Sequence, residues 1–115
     1  MRAYKQQARI MKALAHPVRL HILQVLEWWE EACVCHLEAL LGLRQAYISQ
    51  QLAVLREAGL VSDRQEGLYV FYRLADERVP ALLALTREET TEEARRPPTG
   101  PLPNCSCPKC QRSGG

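Results

Sequence analysis

Apolar residues recur at helical spacing along the first half of the chain. Tyr4, Ala8, Met11 and Ala15 fall on one stripe and Ile10 and Leu14 widen it, which predicts a helix over 3–15. His16-Pro17 ends it, because the residue before a proline is pushed out of the helical region. Pro17 then suits the first turn of a second helix, where a missing N–H costs nothing. That helix reaches Trp29, with Val18, Ile22, Val25 and Leu26 on one face. A short third helix over 34–41 carries Leu37, Leu40 and Leu41 and stops at Gly42. In a fourth, over 44–58, Ile48, Leu52 and Leu55 follow the i, i+4, i+7 rule, and Gly59 closes it. Its other side, with Ala46, Ser49, Gln50 and Ala53, is small and polar.

The period then changes from 3.6 to 2. Residues 60–65 and 68–74 read as two strands joined at Glu66-Gly67, and Val70, Phe71 and Tyr72 give the second strong β character. Asp76 is placed to cap a last helix, in which Val79, Leu82, Leu83 and Thr86 share a face and Pro80 sits in the first turn.

This order of elements predicts a mainly α fold with a β-hairpin wing, a dimeric winged helix-turn-helix. In such a motif the second helix enters the major groove and its N-terminal half meets base edges. Gln45, Tyr47, Ser49 and Gln50 are then the candidates for base or phosphate contact. Arg44, beside the unpaired N–H groups of the helix start, suits a phosphate. Arg64 is placed to reach a phosphate or the minor groove, while Gln65 and Gly67 shape the wing tip. One recognition helix reads half a site, so a homodimer on double-stranded operator DNA is expected. Met11, Val79, Leu82 and Leu83, on the first and last helices, are the candidate seam. Completion of a monomer core is the alternative use of those four.

The 115 residues are enough for one domain and a modest core. Composition is ordinary for a globular protein, 47% apolar and 24% charged, with no apolar run near the roughly 20 residues of a membrane span. A secretory signal is not visible, so a cytoplasmic protein without a membrane partner is expected. Net charge is only +2 but unevenly placed. Residues 1–20 hold Arg2, Lys5, Arg9, Lys12 and Arg19 with no acid, and such a field can steer an acidic partner. From about residue 92 the composition shifts to a proline-rich linker and a cysteine tail. The expected division is therefore a DNA-binding and dimerisation domain over 1–91 and a flexible metal-binding tail over 92–115.

Five cysteines fall in two clusters, Cys33 with Cys35, and Cys105 with Cys107 and Cys110. In a reducing compartment such clusters point to soft-ion binding or thiol reactivity rather than disulfides. On a regular helix, residues two apart point about 200° away from each other. Cys33 and Cys35 could then chelate one ion only if the helix start unwinds, directly before the recognition helix. The tail offers three sulfurs, too few for a closed structural zinc site, but enough to complete a site begun by Cys33 and Cys35, in one chain or across the dimer, or to bind an ion alone. His36 is a candidate nitrogen ligand, with a surface or capping role as the alternative. No catalytic constellation is visible, so an enzyme is not expected.

Three segments carry a resemblance: Lys12 to Leu20, Glu31 to Leu37, and Ser49 to Val61, with Gly67 to Leu74 matching the wing strand. Over residues 8–75 the chain resembles the ArsR/SmtB family of bacterial winged-helix metal sensors. The resemblance implies an apo dimer that represses a resistance operon and leaves its DNA when a toxic ion binds. The Cys33-Val34-Cys35 box is similar to the thiolate site of the arsenic- and cadmium/lead-sensing branches. His36 stands where the box is typically followed by Asp, and Glu38 where arsenite sensors often carry a third cysteine. The cadmium/lead type draws cysteines from an N-terminal arm, which this chain lacks. The zinc and nickel branch uses histidines and carboxylates on the last helix, where only Asp76, Glu77, Glu88 and Glu89 are present. The implied effector is As(III) or Sb(III), held by three sulfurs, with Cd(II), Pb(II) or Zn(II) as alternatives. Two further readings stay open: a thiol-redox or reactive-sulfur switch on the same fold, and a zinc-binding protein-interaction module.

Overall fold

The computed structural model describes residues 1–88. They form α1 (Arg2–Leu14), α2 (Pro17–Trp29), β1 (Ala32–Cys33), α3 (Val34–Leu41), α4 (Gln45–Glu57), β2 (Val61–Glu66), β3 (Tyr69–Leu74) and α5 (Val79–Thr86). The helices stand within two or three residues of where the periodicity places them. The boundary expected at 91/92 and Cys105, Cys107 and Cys110 lie outside the described residues.

The α1–α2 corner is built by local chemistry. His16 is extended, and its Nδ1 accepts the Val18 N–H at 3.2 Å, capping the helix that Pro17 opens. The Arg19 guanidinium then turns back. It donates to the carbonyls of Ala13 and Lys12 at 2.6 and 3.1 Å and to Oε1 of Gln51 on α4 at 2.9 Å. One side chain thus ties the end of α1 to α2 and to α4.

α2 is the central helix, with five consecutive buried residues, Ile22 to Leu26. It packs on α1, α3, α4, α5, β1 and β3. That is broader than the single face the pattern predicts, because a helix surrounded by partners needs apolar cover on most sides. The core joins these residues to Leu37, Ile48, Leu52, Leu55, Leu60 and Val79, all fully buried.

Glu30 leaves α2 with φ 64 and ψ −38, and the Glu31 N–H reaches back to the Trp29 carbonyl at 2.6 Å. This is a γ-turn of the positive-φ kind, which strains a residue carrying a Cβ. Such strain costs about 1–3 kcal/mol, against roughly 0.5–1 kcal/mol for the extra chain entropy of glycine. Glu30→Gly is therefore expected to raise stability by about 1 kcal/mol, read as a higher urea midpoint at unchanged m-value.

α3, the turn at Gly42 and α4 form the helix-turn-helix. Gly42 has φ 69, and its N–H closes onto the Glu38 carbonyl at 2.9 Å. A Cβ there would meet nothing within 4 Å, so the backbone angle and not space requires glycine. α4 ends in a Schellman arrangement, with Gly59 and Leu60 N–H groups donating to Arg56 and Leu55 carbonyls at 3.0 and 2.9 Å.

β2 and β3 pair antiparallel from Val61↔Leu74 to Glu66↔Tyr69. The pattern predicts the turn at Glu66-Gly67; the structure closes it one residue later, at Gly67-Leu68. Gly67 alone of the two has positive φ, as a two-residue turn of type II′ requires at its first position. β1 adds a third strand on the far side of β3, giving the order β1-β3-β2. Two residues are too few to show an alternating pattern, so the sequence does not reveal it.

Asp76 departs from its expected role. It does not cap α5, whose N-cap is Arg78; its carboxylate instead accepts from the Arg78 N–H and guanidinium at 2.7–3.0 Å. Those side-chain bonds, with the backbone bond, hold its carboxyl below the usual range. Among the described residues no helix is long and apolar enough to cross a membrane. The architecture is a winged helix-turn-helix: a helical body with a three-stranded antiparallel wing.

Candidate nucleic-acid interface and thiol pair

α4 buries Ile48, Gln51, Leu52 and Leu55 and turns the rest outward. Gln45, Tyr47, Ser49 and Gln50 are all exposed, on the face a major groove would meet. Arg44 is the N-cap, extended and exposed, and its side chain does not cap the helix. The first-turn N–H groups of α4 therefore face outward beside a guanidinium.

At the wing tip the Gln65 amide donates to the Gly67 carbonyl at 3.2 Å, which agrees with a shaping role for this pair. Leu68 is 96% exposed beside it. Arg64, expected at a phosphate or the minor groove, is held in an ion pair within the chain. Its Nε and Nη2 donate to the two carboxylate oxygens of Glu31 at 2.6 Å each, and Nη1 lies 3.4 Å from Glu66. The Glu31 hydrogen bonds raise its pKa above the usual arginine value. The fork draws the guanidinium across the sheet toward Glu31 while the side chain stays 43% exposed. It lies 4.7 Å from the centre of the Phe71 ring.

Phe71 is the middle of a row. It pairs with Arg64 of β2 on one side and with Cys33 of β1 on the other. Directly opposed residues share a sheet face, so thiol, ring and guanidinium stand side by side. Phe71 and Cys33 are both buried, and Cys35 and Tyr69 pack on them. The row closes on itself, since Glu31 lies two residues before Cys33.

Cys33 is the N-cap of α3, with extended φ −85 and ψ 168, and its Sγ accepts the His36 N–H at 3.3 Å. Only Cys35 is helical, and it is half-buried. The box thus straddles a strand-to-helix junction rather than lying wholly on a regular helix. His36 is not a surface residue. It is fully buried, with its ring 4.3 Å from Trp29 at 80°, edge to face. Among the described residues no group of three Cys, His, Asp or Glu side chains is arranged to hold a metal ion.

The four candidate seam residues divide. Val79 and Leu83 are 0% and 6% exposed and belong to the core of the single chain, because α5 lies against α2. They are therefore not available to a partner. Met11 is 49% exposed and Leu82 half-buried, and both line a cleft of about 800 Å³ between α1 and α5 with Leu85, itself 83% exposed.

Pattern reading overlooked Glu31 and Phe71, the links between thiol and wing. No local signal marks them, since their meaning depends on pairing between strands some forty residues apart.

A recognition helix with an open polar face, backed by a wing, defines a DNA-binding regulator. The chain belongs to the ArsR family: the family model described as "Bacterial regulatory protein, arsR family" matches residues 16–63. It is 47% identical over 76 residues to the biofilm growth-associated repressor of Agrobacterium fabrum, covering 66% of this chain and just under two thirds, 64%, of that one. It is 42% identical over 81 residues to the arsenical resistance operon repressor of Escherichia coli K12, covering 70% and 68%. Among solved structures, HlyU from Vibrio cholerae superposes with a TM-score of 0.66 at 38% identity, over 72% of this chain and 89% of that one. The homodimeric winged helix-turn-helix domain of Mb0332 from Mycobacterium bovis gives 0.66 at 38%, over 72% and 76%. The antimony-specific repressor AntR gives 0.65 at 28%, over 71% and 74%. These relatives are transcriptional regulators, not enzymes, in agreement with the absence of a catalytic motif from the sequence.

Proposed function

We propose that this chain is a metalloid-responsive repressor. As a metal-free homodimer it holds operator DNA, and it lets go when arsenite or antimonite binds Cys33 and Cys35. The third thiolate comes from Cys105, Cys107 or Cys110 of the tail beyond residue 92. The single observation that carries this reading is the row Cys33–Phe71–Arg64, which seats a box thiol against the wing. The relatives named for arsenical resistance and for antimony support the class of effector. The donor set fits a soft pyramidal ion, with two thiols at one junction and further thiols in the same chain.

A bound As(III) or Sb(III) would be held by the Cys33 and Cys35 sulfurs, and that ligation would compete with the two places Cys33 now holds, the N-cap of α3 and the seat against Phe71. The chain's own residues do the rest. Cys33 stops accepting the His36 N–H, which loosens the first turn of the helix that leads into α4. Phe71 loses its neighbour, and the guanidinium above it shifts with the ring. Arg64 and Glu31 then no longer hold the wing in register with the α4 face. Gln45, Tyr47, Ser49 and Gln50 read the groove, Arg44 holds a phosphate, and Arg64 is a brace of the wing rather than a phosphate ligand. Met11, Leu82 and Leu85 cover the α1–α5 cleft against a second copy.

Fluorescence anisotropy of the reduced protein on a fragment from upstream of its own gene tests this. Arsenite, antimonite, Cd(II), Pb(II) and Zn(II) are titrated anaerobically at fixed salt. Affinity is expected to fall roughly 5–150-fold with As(III) or Sb(III), the usual size of allosteric coupling. Tight binding unmoved by every ion, yet lost on mild oxidation, would give the switch to thiol redox chemistry instead.

A further inference from the structure

We propose that the basic face of α1, with the cleft it forms against α4, is a second DNA-phosphate site, gripping the duplex beside the half-site read by α4. The inference rests on the DNA-binding reading above and adds a contact outside the recognition helix and wing.

Arg2, Lys5, Arg9 and Lys12 recur at spacings of three, four and three, which sets them on one face of α1. All four are exposed, and α1 carries no acid. None makes an ion pair with a described residue. Three arginines elsewhere are paired with carboxylates: Arg56 with Asp63 at 2.9 Å, Arg64 with Glu31, and Arg78 with Asp76 at 2.7 Å. Like charges three and four apart weaken a helix, so an uncompensated row is costly unless a polyanion lies on it.

The location selects the polyanion. Lys5, Arg9, Lys12 and Arg19 line one wall of a cleft of about 690 Å³, and Val54, Glu57 and Ala58 of the α4 end line the other. Glu57 is the one carboxylate among these lining residues, so the wall stays positive. Val54 lies four residues from Gln50 and seven from Tyr47, on the same exposed stripe of α4. The cationic face is thus continuous with the surface offered to the groove. From Arg2 to Lys12 the helix rises about 15 Å. Phosphates advance about 3.4 Å along the axis on each strand, so the row spans roughly four of them.

The test compares the full chain with a variant carrying Arg2→Gln, Lys5→Gln, Arg9→Gln and Lys12→Gln, by anisotropy at several salt concentrations. Each lost phosphate contact is expected to lower the slope of log K against log salt by about 0.9, up to about 3.6 per chain. The parent is expected to lose affinity when the duplex is trimmed to the ends of its half-sites, and the variant is not. Exchanging lysine and arginine at the four positions is expected to keep both properties. If the fourfold variant does not fold by circular dichroism, Arg2→Gln with Lys5→Gln, in the exposed first turn, replaces it and is expected to lower the slope by about 1.8. A folded variant with the parent's slope and flank dependence overturns the α1 site while leaving DNA binding by α4 intact. A parent that binds no DNA at any salt overturns both.

Discussion

Cys33→Ser is expected to abolish effector-driven release while leaving a protein that still folds and still binds DNA. The serine hydroxyl can accept the His36 N–H in place of Sγ, and serine is a favoured N-cap, so stability should stay within about 1 kcal/mol of the parent. What it cannot do is ligate a soft ion, because a hydroxyl is neither ionised near neutral pH nor polarisable. The expected 5–150-fold response should therefore collapse to no response. Cys33→Ala should lose the same response and also the cap, at a further cost of about 1 kcal/mol. The checking measurement is the arsenite and antimonite titration on operator DNA, run beside urea unfolding of each variant. Retention of the full response by Cys33→Ser would sink the assignment of this thiol as a ligand.

Phe71→Ala carries the largest expected loss of stability. The ring is fully buried at the centre of β3 and touches both sides of the wing. Truncations of this kind cost about 3–5 kcal/mol, a large share of the 5–15 kcal/mol typical for a whole domain. The melting temperature should fall by about 12 °C or more. Phe71→Leu is the informative companion. It keeps most of the volume, at a cost near 1.5 kcal/mol, and removes the flat surface beneath Arg64. The prediction is a variant whose thiols bind the effector with parental affinity but whose DNA affinity responds several-fold less. Effector binding followed by thiolate absorbance, set against release followed by anisotropy, separates the two. Parental release by Phe71→Leu would show that the signal travels through α3 alone.

The helices were legible because each signal is local: a proline after His16, a glycine at Gly42 and Gly59, apolar spacing in α4. The face of α4 that offers Gln45, Tyr47, Ser49 and Gln50 follows from the burial of Ile48, Leu52 and Leu55, which the pattern shows directly. Legibility fails where a residue's environment is set by pairing at a distance. Arg64 in the wing reads as a free cation until Glu31, thirty-three residues earlier, is brought beside it at the start of β1. Cys33 reads as the residue before a helix until that same short strand draws it into the sheet. Val79 and Leu83 read equally well as seam or core, and only the docking of α5 on α2 decides between them. The box and the family resemblance pointed to soft-ion chemistry, whereas the path from thiol to wing required the register of three strands.

Arg19 has a consequence for the DNA itself. By tying α1 to α2 and α4, it makes the reading helix and the seam side of the chain one solid piece. In the proposed dimer the two readers are then coupled through the seam side, and the protein constrains their distance and mutual rotation. The operator must supply half-sites at one helical phase. Half a turn of inserted sequence would put the second half-site on the wrong side of the duplex, and a full turn would carry it about 34 Å out of reach. A regulator built this way recognises a spacing as strictly as it recognises bases.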